Sequence, residues 1–309
     1  MRVVFFGTPD FAVPSLEALL GEGFDVVAAV TQPDKPQGRS RSTFVAPPVK
    51  VAAAAEGVSV LQPPRPSEPT FVAQLRALAP DVGVVVAYGH LLAPELLAIP
   101  RHGMVNVHPS LLPELRGPAP IEWAILNGLE KTGVTIMQMD AGLDTGPILH
   151  QIPHRIGADV TGGELAEHLS ELGAQALVEA LALLAQGELG GRPQDPARAT
   201  YAPKLSREAA RVRWTAPADA IARTIRGLDP RPGAWTELEA RAVKLFGARV
   251  VEGEGHGSPG AVVRTAPRLC VATGTGLVEL AEVQPEGKPR LAVADWIRGR
   301  GVREGQRFT

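Results

Sequence analysis

Asn106 and His108 stand two residues apart in Asn106-Val107-His108-Pro109-Ser110-Leu111-Leu112-Pro113, the densest polar cluster within an otherwise apolar region of the chain. The stretch 103–108 reads as a short strand, and period-2 geometry puts Asn106 and His108 on one face of it. A carboxamide and an imidazole side by side can hydrogen-bond a developing oxyanion, and the imidazole can also move a proton. A lone histidine is more often satisfied by backbone; the second donor at a strand end favours chemistry. Further on, Met139-Asp140-Ala141-Gly142-Leu143-Asp144-Thr145-Gly146 places two acids in a Gly-punctuated loop. Turn chemistry alone explains such a loop, but a carboxylate there can orient or charge the His108 imidazole. The other histidines, His90, His102, His150, His154, His168 and His256, show no metal-ligand spacing, and no metal is expected.

These residues need elements to position them. Residues 2–7, 26–31 and 81–88 are Val-rich runs of the kind buried on both faces of a parallel sheet. A helix reads at 11–20, another at 121–126, and a further strand at 133–139. Alternation of this kind predicts an open, mostly parallel Rossmann-like α/β sheet, whose ligands lie beyond the strand ends. Gly7-Thr8-Pro9 stands where a dinucleotide fingerprint would be, yet neither G-x-G-x-x-G nor a Walker pattern follows, which argues against a nicotinamide dehydrogenase. Thr161 and Glu164 form a capping box ahead of a long helix that stops at Gly187. After the breaker-rich 190–196, a helix at 217–226 precedes short β-like runs at 243–251, 260–264, 269–272 and 277–283, which suggest a small OB-like β-barrel. The expected division is a catalytic domain at 1–188, a linker at 189–205 and a second domain at 206–309.

Composition limits the possibilities further. No window is apolar enough to span a membrane, and residues 3–6 are too short a run for a signal-peptide core. Cys270 is the only cysteine, so no intramolecular disulfide forms and a reducing cytoplasm is expected. Residues 1–205 carry 14 Lys/Arg against 21 Asp/Glu, a net −7, whereas 206–309 carry 17 against 12, a net +5. A basic second part on an acidic first suggests contact with a polyanion. No conspicuous apolar stripe is left over, so a monomer is expected.

The 106–113 cluster, followed by Arg116-Gly117-Pro118-Ala119-Pro120-Ile121, resembles the signature of the folate-dependent formyltransferase family, and Gly133-Val134-Thr135-Ile136-Met137-Gln138-Met139-Asp140 running into Gly142-Leu143-Asp144-Thr145-Gly146 resembles that family's second block. The opening 3–12, the segment Tyr201-Ala202-Pro203-Lys204-Leu205-Ser206 and the run 280–288 are similar to the branch that acts on tRNA. The match covers essentially the whole chain. It implies the formyltransferase fold and transfer of a formyl group from 10-formyltetrahydrofolate, as co-substrate, to the amine of initiator methionyl-tRNA. By the same resemblance, Asn106, His108 and Asp144 are the catalytic trio, with Asn106 and His108 holding the oxyanion and Asp144 ordering a water or the imidazole. Ser110, Leu111, Leu112 and Pro113 line the folate site, with Asp140 in the loop on the pterin side. Arg39 and Arg41 in the loop 33–44, and Lys204 and Arg207 at the entry to the second domain, contact the nucleic acid. A formyltransferase acting on a small amine would leave the basic domain without a partner. A non-catalytic tRNA-binding module would tolerate loss of all three catalytic residues.

Overall fold

The computed structural model describes residues 1–37, 43–253 and 257–309. In chain order the first strands are β1 (Arg2–Gly7), β2 (Asp25–Val30), a hairpin of β3 (Lys35–Gln37) and β4 (Thr43–Val45), β5 (Val60–Leu61), β6 (Val82–Val86), β7 (Met104–His108), β8 (Lys131–Gln138) and β9 (Ile148–Arg155). Seven of them form one sheet in the order β5-β2-β1-β6-β7-β8-β9. Pairing is parallel from β5 through β7 and antiparallel between β7 and β8. Every residue of β6 is buried, as its unbroken Val-Gly-Val-Val-Val run requires of a strand covered on both faces.

Helices α1 (Val13–Gly21), α2 (Pro48–Ala55), α3 (Pro69–Ala77) and α4 (Pro94–Leu97) alternate with these strands, each with proline in its first turn, where the missing N–H has no cost. That preference also explains why the helix read at 11–20 starts at Val13, after a 3-10 turn over Asp10–Ala12. The segment read as the loop 33–44 contains the two arms of the β3–β4 hairpin. At its base Lys50 Nζ lies 2.8 Å from both carboxylate oxygens of Asp34. Arg39 and Arg41 lie outside the described residues.

The chain divides into two compact units. Met1–Gly117, Thr132–His154 and Glu167–Tyr201 form one, and Pro118–Lys131, Arg155–Ala166 and Ala202–Thr309 form the other. The helix α5 (Pro120–Leu126) and the turn after β9 therefore count with the C-terminal residues, although they lie early in the chain. The long helix α6 (Gly162–Gln186) begins at the capping box read in the sequence. Thr161 N–H donates to Glu164 Oε2 at 2.8 Å, and Glu164 N–H donates to Thr161 Oγ1 at 3.2 Å.

In the second unit, α7 (Ala218–Gly227) packs against an antiparallel sheet of β10 (Ala234–Leu238), β11 (Arg241–Val251), β12 (Val262–Arg264), β13 (Leu269–Ala272), β14 (Leu277–Pro285) and β15 (Leu291–Ala292), followed by α8 (Val293–Arg298). The order is β10-β11-β14-β13-β12, with β15 added on β14. The last residues join the two edges. Glu237 and Thr309 exchange backbone hydrogen bonds at 3.1 and 3.0 Å on the β10 side, while Val262 N–H donates to Gln306 O at 2.8 Å on the β12 side. Phe308 anchors this closure, stacked on Trp214 with ring centroids 5.5 Å apart and on Trp296 at 6.4 Å. The second unit is thus a small antiparallel barrel, and the first unit is Rossmann-like. Replacing a fully buried Phe by Ala typically costs about 3–5 kcal/mol. Phe308→Ala is therefore expected to lower the stability of the second unit by that order in a denaturant titration.

Candidate functional site

The chain leaves β1 toward β2 on one side and returns to β6 on the other, so the sheet's topological switch lies between β1 and β6. Open α/β sheets bind ligands in the crevice beyond the carboxyl ends of strands at such a point. Thr8, just past β1, donates its hydroxyl to the Tyr88 carbonyl past β6 at 3.0 Å, and Gln32 Nε2 donates to the same carbonyl at 3.0 Å. The next parallel strand, β7, ends on the same rim at His108.

His108 is 4% exposed. Its Nε2 lies 3.0 Å from the Leu115 carbonyl. A carbonyl only accepts, so Nε2 carries the proton in the neutral ring and Nδ1 is the free base. Nδ1 in turn lies 3.7 Å from Asp144 Oδ2. Burial pushes the His108 pKa below its ordinary value, against the opposing pull of the Asp144 charge and the Leu115 carbonyl. The ring is thus neutral at pH 7, and a proton arriving at Nδ1 points at a carboxylate. Asn106 is half-buried, and its carboxamide has no hydrogen-bond partner among the described residues. It remains available to a ligand.

Two residues with backbone in the left-handed region hold this geometry. Leu115 has φ +56° and Asp144 φ +53°, a region uncommon for residues other than glycine and found where surrounding contacts impose it. Leu115 N–H donates to Thr200 Oγ1 at 2.8 Å, which aims its carbonyl at His108. Asp144 Oδ2 accepts the Gly117 N–H at 2.8 Å. Gln194 reaches the Asp144 and Gly146 carbonyls through Nε2, at 2.8 and 2.7 Å, while its Oε1 accepts both Nε and Nη2 of Arg116, at 3.0 and 2.7 Å.

The 110–113 turn depends on a buried hydroxyl. Thr135, wholly buried on β8, donates to the Ser110 carbonyl at 2.7 Å and accepts from Leu112 N–H at 3.1 Å and Gln151 Nε2 at 2.9 Å. Ser110 is itself fully buried and spends its hydroxyl on the Glu114 carbonyl at 2.6 Å. Leu112 and Pro113 are buried, and Leu111 is partly exposed. Asp140 is exposed, with Oδ1 closing its own loop by accepting from Gly142 N–H at 3.0 Å and Thr145 Oγ1 at 2.7 Å. The structure therefore brings His108 and Asp144 together and commits the Ser110 and Asp140 side chains to local turns. Thr135, Gln151, Gln194 and Thr200 went unread as site residues. The signal for Thr135 is a hydroxyl between Val134 and Ile136 in the apolar stretch of a strand; Gln194 and Thr200, in linker sequence, give none. In the second unit, Lys204 is exposed, and Arg207 and Arg211 each set a guanidinium over the Trp235 ring, 4.9 and 5.0 Å from its centroid.

Comparison with known proteins gives this arrangement its class. Residues 1–181 match the formyl transferase family, and residues 204–301 match the formyl transferase C-terminal domain. A methionyl-tRNA formyltransferase of Citrifermentans bemidjiense is 45% identical over 306 residues, 99% of this chain and 95% of that protein. One from Roseiflexus sp. is 48% identical over 310 residues, 100% of this chain and 95% of that protein. Among solved structures, WlaRD, a sugar 3N-formyl transferase, shares the fold with a TM-score of 0.70 at 15% identity, covering 94% of this chain and 99% of its own. The chain belongs to the formyl transferase family.

Two measurements check the site. In a histidine NMR titration, His108 is expected to appear as the Nε2–H tautomer with a midpoint below the ordinary ~6.5; a midpoint above that value would contradict it. Thr135→Val keeps the shape but strands two buried backbone groups. It is expected to cost about 1–3 kcal/mol in denaturant unfolding, where no change would show that the hydroxyl is dispensable.

Proposed function

We propose that the protein transfers the formyl group of 10-formyltetrahydrofolate to the amino group of initiator methionyl-tRNA. The observation that carries this reading is the buried, Leu115-anchored imidazole facing Asp144, two residues along β7 from an unpartnered carboxamide. These groups suit a donor whose carbonyl oxygen becomes negative during the reaction. When bound, that donor supplies a formyl carbon attached to N10 of the folate.

Asn106 donates its amide N–H to the oxyanion that forms as the amine adds to the formyl carbon. His108 takes the proton of the attacking amine on Nδ1, and Asp144 stabilises the resulting imidazolium from 3.7 Å. His108 then returns that proton to N10 as the carbon–N10 bond breaks. The N-formylated amine and tetrahydrofolate leave, and the imidazole is neutral again. In this scheme Leu111 and the 138–144 loop, including Asp140, face the folate. Ser110, Leu112 and Pro113 shape that surface through their backbone. Residues 1–188 carry the chemistry. The basic 206–309 region, with Lys204 and Arg207 at its entry, holds the tRNA by salt-sensitive phosphate contacts. Arg39 and Arg41 are assigned to the acceptor end from the sequence. Among the described residues no helix is long and apolar enough to cross a membrane; a cytoplasmic location and a monomeric state are assigned from the sequence.

The test is a formylation assay with 10-formyltetrahydrofolate and methionyl-tRNA on wild type, Asn106→Ala and His108→Ala. Losing an oxyanion donor such as Asn106 typically lowers kcat by about a hundredfold to a thousandfold, and losing a general base such as His108 by about a hundredfold to ten-thousandfold. That drop is expected for each variant while tRNA still binds. A folded wild type that formylates a small amine but not methionyl-tRNA would replace this reading with a small-substrate transferase.

A further inference from the structure

The second unit contains a cavity of about 540 Å³ that shares no lining residue with the Trp235 surface, with Arg155, Arg223 and Arg226 on its walls. Glu130 is the one acid of that lining, and it is exposed. Its backbone is engaged too, its carbonyl accepting the Ile156 N–H at 2.9 Å. The arginines are poorly supplied with partners. The Nε atoms of Arg223 and Arg226 are both buried and neither has a hydrogen-bond acceptor, an arrangement that folded proteins ordinarily avoid. Arg223 spends Nη1 on Asp219, one turn earlier on α7, at 2.6 Å. Arg226 reaches only the Ala248 carbonyl, at a long 3.5 Å, and among the described residues neither it nor Arg155 has an ion pair. A guanidinium serving only the fold would be expected to have its N–H groups taken up.

The local backbone accommodates this cluster. Gly128 has φ +69°, and a Cβ added there would come within 3.2–3.3 Å of the Arg223 guanidinium, so a residue without a side chain leaves Arg223 its place. Burial is the first influence lowering the Arg226 pKa, with Arg223 and Arg249 adding like charge and the exposed Asp159 opposing them. The site thus concentrates positive charge, and two of its arginines, Arg155 and Arg226, have no ion-pair partner among the described residues. A tetrahedral oxyanion with several acceptors answers both shortages, because guanidinium groups bind phosphate oxygens through parallel N–H donors.

We propose that the cavity lined by Arg155, Arg223 and Arg226 is a phosphate-binding site. Its ligand is a phosphate group, either from a nucleic-acid backbone or from a small phosphorylated molecule. The site shares no residue with the His108 cluster and does not rest on the formyl-transfer reading.

The test titrates the full-length protein with inorganic phosphate and pyrophosphate at low ionic strength by calorimetry, without formyl donor or acceptor. Wild type is expected to bind saturably, and Arg226→Gln and Arg155→Gln to weaken binding at least about tenfold each, the order of one lost charge-assisted contact. Arg155 is exposed and unpaired, so its variant reports on the site even if Arg226→Gln fails to fold. A second arm measures the salt dependence of binding to bulk tRNA. If the slope of log K against log salt falls by about 1 per lost contact, the ligand is a backbone phosphate. If tRNA binding is unchanged while phosphate binding is lost, the ligand is a small phosphorylated molecule. No saturable phosphate binding by wild type, or binding that both variants leave intact, overturns the proposal.

Discussion

The hydrogen bond between His108 Nε2 and the Leu115 carbonyl decides what the rest of the site can do. It assigns the ring proton to Nε2 and turns the basic Nδ1 toward Asp144, while burial, against the pull of that carbonyl and of Asp144, disfavours the charged imidazole. Leu115 offers that carbonyl from a left-handed conformation that a branched side chain rarely adopts, with its own N–H tied to Thr200. The contacts around it hold that backbone, and the result is a histidine with one tautomer and one orientation of Nδ1. An imidazole free to rotate would lose both.

The same logic runs through the loops that bear the polar groups. Thr135 ties Ser110, Leu112 and Gln151 into one buried network, and Gln194 ties the Asp144 loop to Arg116. Buried polar networks of this kind rigidify a site when every member is satisfied. Gln194 sits in a stretch that reads as a connector, yet its carboxamide makes four contacts with the two loops it joins. The segment is a clamp on the site as well as a link along the chain.

Much of this was legible in the sequence. The Val-rich runs, the Thr161–Glu164 cap and the rhythm of short strands after residue 240 each follow one local rule, and the elements stand where those rules place them within a few residues. The polar pair on β7 was visible because it interrupts an apolar strand. Other features depend on partners distant in the chain. β10 alternates correctly, but its inward position 236 is a threonine, wholly buried because Trp214 Nε1 and the Thr309 carbonyl satisfy its hydroxyl at 2.9 Å each. Thr200 and Gln194 meet residues about 50–85 positions away. The interleaving of Pro118–Lys131 and Arg155–Ala166 with the C-terminal unit is likewise a matter of tertiary packing, which no local period encodes.

The most direct measurement of the central claim is the pH dependence of kcat/KM for formyl transfer in wild type and Asp144→Asn. A base that works as the neutral imidazole keeps the reaction running below pH ~6.5. Its acid limb is expected to fall at a midpoint under that value. Asp144 raises the affinity of His108 for protons, so removing its charge is expected to move the limb lower still and to reduce the plateau. An acid limb at or above the ordinary histidine value, unmoved by Asp144→Asn, would contradict the assignment of His108 Nδ1 as the group that carries the proton.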